Sequence, residues 1–336
     1  MPWWTENRMR MVQFNLVATN AAADTDRLVE QLKGFHANAL MTGAGGIVAY
    51  YPSKLPYAYV SPYMGEKDML GDLVKKCHES GMRVIGRFDF SKIHESIAEK
   101  HPEWLFRRAD GEAVNYNTMV HTCICGEYQG ELCLEILREC LTQYPVDGVY
   151  FNMFGFRTVD YSGVDHGICQ CESCKRKYKE ITGFDLPLDG NDPHIEDYYA
   201  FQKTIVAGVL ERVHALIKSI NPEISICTHG SYDYVDMIHT ESNYTLRLRK
   251  KPFALYSSTD NCRMTNDSYP DIYAANCVIN AADIAWRFMG VSTYLNEARL
   301  WQNIGAGSQP EWCIVGIPDD YPETENYDGV REVFAF

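Results

Sequence analysis

Strand-like apolar runs alternate with helical ones from one end of this chain to the other, and that alternation constrains the fold more than any single motif. A strand, a crossover helix and a parallel neighbouring strand form the repeating unit of α/β folds, because only a long crossover returns the chain to the same edge of the sheet. Eight such units are predicted, with strands at 9–18, 39–49, 83–90, 148–154, 224–228, 235–240, 253–257 and 312–316. Helix starts fall between them: Asp24 ahead of Leu28, Glu66-Lys67-Asp68 ahead of Met69, and Asp197 ahead of the amphipathic stretch 199–220, which stops at Asn221-Pro222. Acidic caps satisfy orphan N–H groups at a helix start, and proline cannot continue the hydrogen-bond ladder. Eight βα units in 336 residues, 46% of them hydrophobic, specify an α/β fold, a single (β/α)8 TIM barrel over residues 1–336.

The third and fourth strands are separated by a long excursion, 91–145, containing His101-Pro102-Glu103-Trp104 and the turn Asp110-Gly111, whose neighbours predict a small hairpin. Long βα segments at the C-terminal face of a barrel usually build its site. The chain stops at 330–336, which reads as the middle of the eighth helix, so truncation ahead of a C-terminal domain is one expectation.

A formal charge of −14, with Lys and Arg scattered apart from the run 247–251, leaves no basic stripe to follow a phosphate backbone and argues against nucleic acid. The N-terminus has no apolar signal-like region, and no stretch reaches the roughly 18 uninterrupted apolar residues of a membrane span. The expectation is a cytoplasmic protein with no membrane partner, and a homo-oligomer. Tyr (22) and Trp (6) suit a site that stacks on sugar rings, and equally suit a large core.

Twelve cysteines are many for a reducing compartment. Cys77, Cys140, Cys227, Cys262, Cys277 and Cys313 are scattered and read as core. Cys169, Cys171 and Cys174 are different: three thiols within six residues at the mouth of a helix over 175–182, where backbone N–H groups favour thiolates. Tetrahedral zinc needs one more ligand, and Cys123 or Cys125, in the loop 122–128, can supply it; a four-thiolate site is closed and structural. The plainer alternative is a group of free buried thiols.

Several blocks now coincide: Arg87-Phe-Asp-Phe-Ser-Lys92, His101 to Trp104, Cys123 to Tyr128, Asp147-Gly-Val-Tyr-Phe-Asn-Met-Phe154, and Cys169-x-Cys171-x-x-Cys174 followed by 179–183. Together they resemble the hypothetical glycosyl hydrolase 6 family. That group is similar to the barrels of glycoside hydrolase family 42 β-galactosidases, in which a Cys-x-Cys-x-x-Cys run after the fourth strand joins one earlier cysteine around zinc. The resemblance implies a carbohydrate substrate and a glycosidic bond to cleave. It also implies an Asn-Glu pair at the end of the fourth strand, where this sequence reads Asn152-Met153. Against family 29 fucosidases, Asn152 stands where the nucleophilic Asp is expected. An amide is neither nucleophile nor proton donor at neutral pH, so Asn152 is assigned to hydrogen-bonding a sugar hydroxyl, or is a disabling replacement.

Catalytic groups of a barrel stand at the C-terminal ends of its strands, and glycoside cleavage normally uses two carboxyl groups. Asp89 closes the third predicted strand beside Arg87, Glu241 follows the sixth, Asp260 the seventh, and Asp319 and Asp320 the eighth. Glu241, between polar neighbours, has no packing reason to be there, although a solvated turn accounts for it as well. Asp260 is its expected partner, by analogy with retaining barrels. Asp89 suits either an ion pair with Arg87 or substrate, and Asp319 and Asp320 suit helix capping as well. Arg87, Asp89, Asn152, His229, Tyr128 and Asp319 complete the expected sugar-binding set, with His121 sharing the ambiguity of a lone histidine. The reading is a glycoside hydrolase with a retaining mechanism, against a sugar-binding barrel without turnover. The first strand has no His-x-His run, which argues against a metal-dependent hydrolase barrel.

Overall fold

The structure, a computed structural model, describes residues 2–6, 9–243, 253–283 and 286–336. Eight parallel strands close into a barrel in sequence order: β1 Met11–Asn15, β2 Ala39–Gly46, β3 Arg83–Asp89, β4 Gly148–Phe151, β5 Ser225–Thr228, β6 Met237–Ser242, β7 Tyr273–Ile279 and β8 Gln309–Val315. β1 completes the closure by pairing with both β2 and β8, Met11 standing opposite Ala39 and Glu311. Parallel strands covered on both faces are apolar at nearly every position, as in β4, where every residue is buried.

The outer layer comprises α1 Thr25–Gly34, α2 Met69–Glu79, α3 Cys133–Gln143, α4 Glu172–Thr182, α5 Ile195–Ile220, α6 Phe253–Ser268, α7 Thr293–Gly305 and α8 Tyr327–Ala335. The acidic caps predicted for α1 and α2 form: Asp24 accepts from the backbone N–H groups of Asp26 and Arg27 at 2.9 and 3.3 Å, and Asp68 from that of Gly71 at 2.9 Å. α5 starts at Ile195, a little before Asp197, and ends against Asn221-Pro222. Leu28 and Leu32 of α1, Leu73 of α2, Leu137 of α3 and Val213 of α5 pack onto the barrel's outside in one core. Each such side chain contributes about 2 kcal/mol by burial. No helix among the described residues is long and apolar enough to cross a membrane.

Two expectations about the units need correction. Residues 253–257 do not form the seventh strand; they open α6, and β7 lies at Tyr273–Ile279. A short apolar run cannot be told from a helix segment by its composition. Beyond it, Ser258, Cys262 and Thr265 are all buried at helical spacing. The other correction is that β5 and β6 are joined by the short loop 229–236 without a helix, while β4 and β5 are joined by both α4 and α5.

Inside the barrel, Met11, Ala39, Met41, Ile85, Tyr150, Cys227, Met237 and Ala275 form an apolar plug, with Trp3 and Trp4 in the same cluster. The excursion after β3 folds into a three-stranded antiparallel sheet of Lys92–His94, Asn115–Tyr116 and Met119–His121. The hairpin expected around Asp110-Gly111 is present, with Arg107 bridged to Ala113. Asn117 and Thr118 turn the neighbouring hairpin with φ of 50° and 68°, a left-handed conformation that is costly for a β-branched residue.

β2 approaches β3 through glycine. Gly46 has φ of 99°, and a Cβ there would stand 2.1 Å from the carbonyl oxygen of Asp89. Only glycine fits, and the next N–H, of Ile47, donates to that same oxygen at 2.9 Å. Gly46→Ala is therefore expected to destabilise the fold by about 2–3 kcal/mol, from positive φ and backbone overlap together. An unchanged urea midpoint would contradict this account.

Candidate functional site

Alternate residues of a strand face the same side, so the rows that form the apolar plug continue upward into the barrel mouth. Arg87 and Asp89 come from β3, Asn152 follows β4, His229 follows β5, His239 and Glu241 lie on β6, and Glu311 lies on β8. Asp89 is only 3% exposed. Its Oδ1 accepts from the Ser91 backbone N–H at 3.0 Å and the Ser91 hydroxyl at 2.6 Å, and its Oδ2 accepts from the Asn152 amide at 2.7 Å. The Arg87 guanidinium is 3.9 Å away. Burial by itself pushes the Asp89 carboxyl up, but Lys92, Arg87, Ser91 and Asn152 outweigh it and hold the group below its ordinary value. At neutral pH this is a fixed negative charge.

Asn152 thus has a definite task. Its carbonyl accepts from the Tyr150 hydroxyl at 3.2 Å while its amide donates to Asp89, which fixes the flip of the side chain. Lys92, 1% exposed, donates to the Ser91 hydroxyl at 3.1 Å and lies 4.8 Å over the Tyr161 ring. Burial, with Asp89 and Glu241 acting in the same direction and Arg87 and Arg287 against it, pushes the Tyr161 hydroxyl up to about 12. The ring therefore stands among charges from both walls of the mouth.

On the far wall, Glu241 is half-buried and accepts from the Asn243 amide at 3.1 Å. One ring nitrogen of His229, one of His239 and a carboxylate oxygen of Glu241 lie within 4.8 Å of one another. His239 and Glu311 share a 2.8 Å hydrogen bond in the barrel interior, and the Tyr150 ring lies 4.3 Å from that of His239. Burial lowers the pKa of His229; it also acts to lower that of His239, but Glu311 overrides it and raises the group.

A cleft of about 410 Å³ opens over Arg87 and Asp89, lined also by Asn15, Tyr50, Tyr59, Tyr63, Tyr161, Arg287 and the turn 117–118. Its volume is in the range of small-ligand sites. Tyr59 stacks on His94 at 3.8 Å, giving one wall a flat aromatic face. His229 borders a second hollow of about 610 Å³, with Arg157, Ser231 and the stacked pair Tyr232 and Tyr269.

Three expected site residues lie elsewhere. Asp260 is exposed on α6, because the strand it was expected to follow is a helix. Tyr128 is fully buried between Phe90 and Trp104, and its hydroxyl donates to the Gly46 carbonyl at 3.1 Å. Asp319 pairs with Arg27 and Gln31 of α1, at 2.6 and 2.8 Å. Asp320 caps the turn after β8, accepting from the Ile317 N–H at 2.9 Å. His121 is buried, and burial lowers its pKa to about 4. Asp260→Asn is expected to change turnover of any cleaved glycoside by less than about twofold, since surface charges far from chemistry contribute little. A large drop in kcat would return Asp260 to the site. The residues that sequence reasoning missed, His239, Glu311 and Tyr150, were signalled only by period-two rows such as His239-x-Glu241 and Glu311-x-Cys313.

Below the excursion, the thiols of Cys123, Cys169, Cys171 and Cys174 lie within 4.8 Å of one another, all buried. Cys123 is the fourth member, its sulfur 3.2 Å from that of Cys174. Cys125 is buried beside them but outside that set of four. Cys171 caps α4, its sulfur accepting from the Cys174 N–H at 3.4 Å. Hydrogen bonding with the Cys123, Cys169 and Cys174 thiols, helped by that N–H, pulls the Cys171 thiol far down. The group is compatible with a metal site: four soft donors, close enough to share an ion and closed to solvent.

The sequence pattern of the family described as hypothetical glycosyl hydrolase 6 matches residues 24–153. No curated protein is similar in sequence. Among solved structures, α-L-fucosidase isoenzyme 2 from Paenibacillus thiaminolyticus is similar with a TM-score of 0.73 and 18% identity, over 98% of this chain and 49% of that one. A β-galactosidase from Rahnella sp. R3 follows at 0.71 and 12%, over 100% and 57%. The PgaB (BpsB) glycoside hydrolase domain from Bordetella bronchiseptica has 0.68 and 11%, over 98% of each chain. The chain spans about half the length of the fucosidase. At these identities the likeness is one of fold. The chain is thus a closed (β/α)8 barrel of the kind those glycoside hydrolases share, and its residues 24–153 carry the hypothetical glycosyl hydrolase 6 pattern.

Proposed function

We propose that the protein is a glycoside hydrolase that binds a carbohydrate at the barrel mouth and cleaves an O-glycosidic bond there. The observation that carries this is Asp89: a buried, ionised carboxylate at a strand end, held by Ser91, Asn152 and Arg87 under a cleft with aromatic walls. A preorganised negative charge is what an oxocarbenium-like transition state requires. Glu241 is the second carboxylate. Arg87 and His229 hold sugar hydroxyls, and Asn152 acts through Asp89. The thiol cluster holds structural zinc, through Cys123, Cys169, Cys171 and Cys174, and supplies no chemistry to the substrate.

A panel of aryl glycosides and oligosaccharides tests the reading. Release of sugar is expected on at least one, with the first-formed anomer read by proton NMR and retention as the expected course. The rival is a sugar-binding barrel without turnover, favoured by Asn152 at the end of β4, where the resemblance implies a carboxylate. Tight glycan binding with no product after long incubation would establish the rival instead.

A further inference from the structure

We infer that His229, His239 and Glu241 form a second metal site, for a divalent cation of the zinc type, at the mouth of the barrel. Their ligand atoms lie within 4.8 Å of one another, and among the described residues no side-chain hydrogen bond joins them: His239 bonds to Glu311 and Glu241 to Asn243, while the His229 ring lies against the His239 backbone. Three atoms so spaced always leave a point within about 2.8 Å of all of them. Metal bonds to nitrogen and oxygen of roughly 2.0–2.6 Å need only small side-chain rotations from there.

The nitrogens are prepared for an ion. His239 commits Nε2 to Glu311, and its Nδ1 is buried without a partner; Nδ1 of His229 is likewise buried and unpaired. An unpaired buried polar atom costs about 1–3 kcal/mol, so two rings that each carry one bare nitrogen, both within reach of one carboxylate, point to a missing common partner. A histidine with one nitrogen on a carboxylate and the other bare is the usual state of a metal-binding imidazole, because the outer carboxylate fixes the ring and raises its basicity. Arg87 and Arg157 oppose a cation here, and the carboxylates of Glu241 and Glu311 offset them.

Two histidines and one carboxylate are the donor set of open zinc sites, with a position left for water or substrate, in contrast to the closed thiol cluster. The 610 Å³ hollow beside His229 supplies the way in. The open position suits a pair of neighbouring sugar hydroxyls, and that last step rests on the carbohydrate reading above. With the ion bound, His229 and Glu241 serve as ligands, and the ion rather than the free side chains faces the sugar.

Protein dialysed against a mild chelator and then titrated with Zn²⁺ tests the site by calorimetry, with no substrate present. One equivalent per chain beyond the thiolate-bound metal is expected, and His229→Gln and Glu241→Gln should each weaken it at least tenfold with unchanged circular dichroism. Titration of Cys174→Ser with Co²⁺ should retain the new equivalent, which adds no thiolate charge-transfer absorbance of its own. A wild-type chain that takes up no second equivalent, or variants that titrate as the wild type does, overturns the proposal and leaves Glu241 as a free carboxyl. Because binding is read without turnover, failure of the glycoside panel and failure of the metal site give different results.

Discussion

Glu241→Gln is expected to lower turnover of the cleaved glycoside by about 10³-fold, close to 4 kcal/mol in the transition state, while the thermal midpoint without added metal moves by no more than about 2 °C. The two effects separate because glutamine keeps an oxygen for the Asn243 amide, the hydrogen bond that Glu241 makes at 3.1 Å, but loses the charge. Asp89→Asn is expected to lower turnover similarly and also to weaken the fold. Lys92 and Arg87 then face no counter-charge, and a buried unpaired cation costs about 3–5 kcal/mol. A Glu241→Gln enzyme with wild-type kcat/KM would remove Glu241 from the reaction, with or without an ion.

Cys174→Ser is expected to lower stability by about 4 kcal/mol, near 6 °C in midpoint for a domain of this size. The four sulfurs join the loop 122–128 to the start of α4, and Phe106, Tyr178, Tyr198 and Phe201 pack around them. Loss of one thiolate opens a closed site and leaves the others buried without a shared counter-ion. A strong chelator with mild denaturant should lower the wild-type midpoint by a similar amount and add little to the variant's drop. Equal midpoints for wild type and variant, with no effect of chelator, would show that the thiols are ordinary core.

The barrel was legible where local rules agreed. Asp24 and Asp68 announce their helices, and the apolar runs at 39, 83 and 148 announce theirs as strands buried on both faces. β7 was not legible, because Tyr273–Ile279 carries Asn276 and two alanines at its centre, while 253–257 has the apolar density of a strand but continues as a helix. That single displacement carried Asp260 into the expected site. Asp89, Arg87 and Glu241 could be found from strand ends alone. The His239 to Glu311 bond joins residues 72 apart across the barrel, and no local pattern encodes such a pair. Cys123 and Cys125 were indistinguishable in sequence because both lie in one short loop. Both lie in one buried cluster, and only the distances between sulfurs set Cys123 among the four.

The contact between Gly46 and the backbone of Asp89 has a consequence for how such a protein changes over time. The position of the carboxylate is set by main chain meeting main chain, so repacking of side chains around it leaves it in place. The hairpin 115–121, which brings Asn117 and Thr118 to the cleft, lies further along the chain and makes no backbone contact with Gly46. New substrate preferences are therefore expected to arise by exchange of this hairpin, with the Asp89 carboxylate carried unchanged from one specificity to the next.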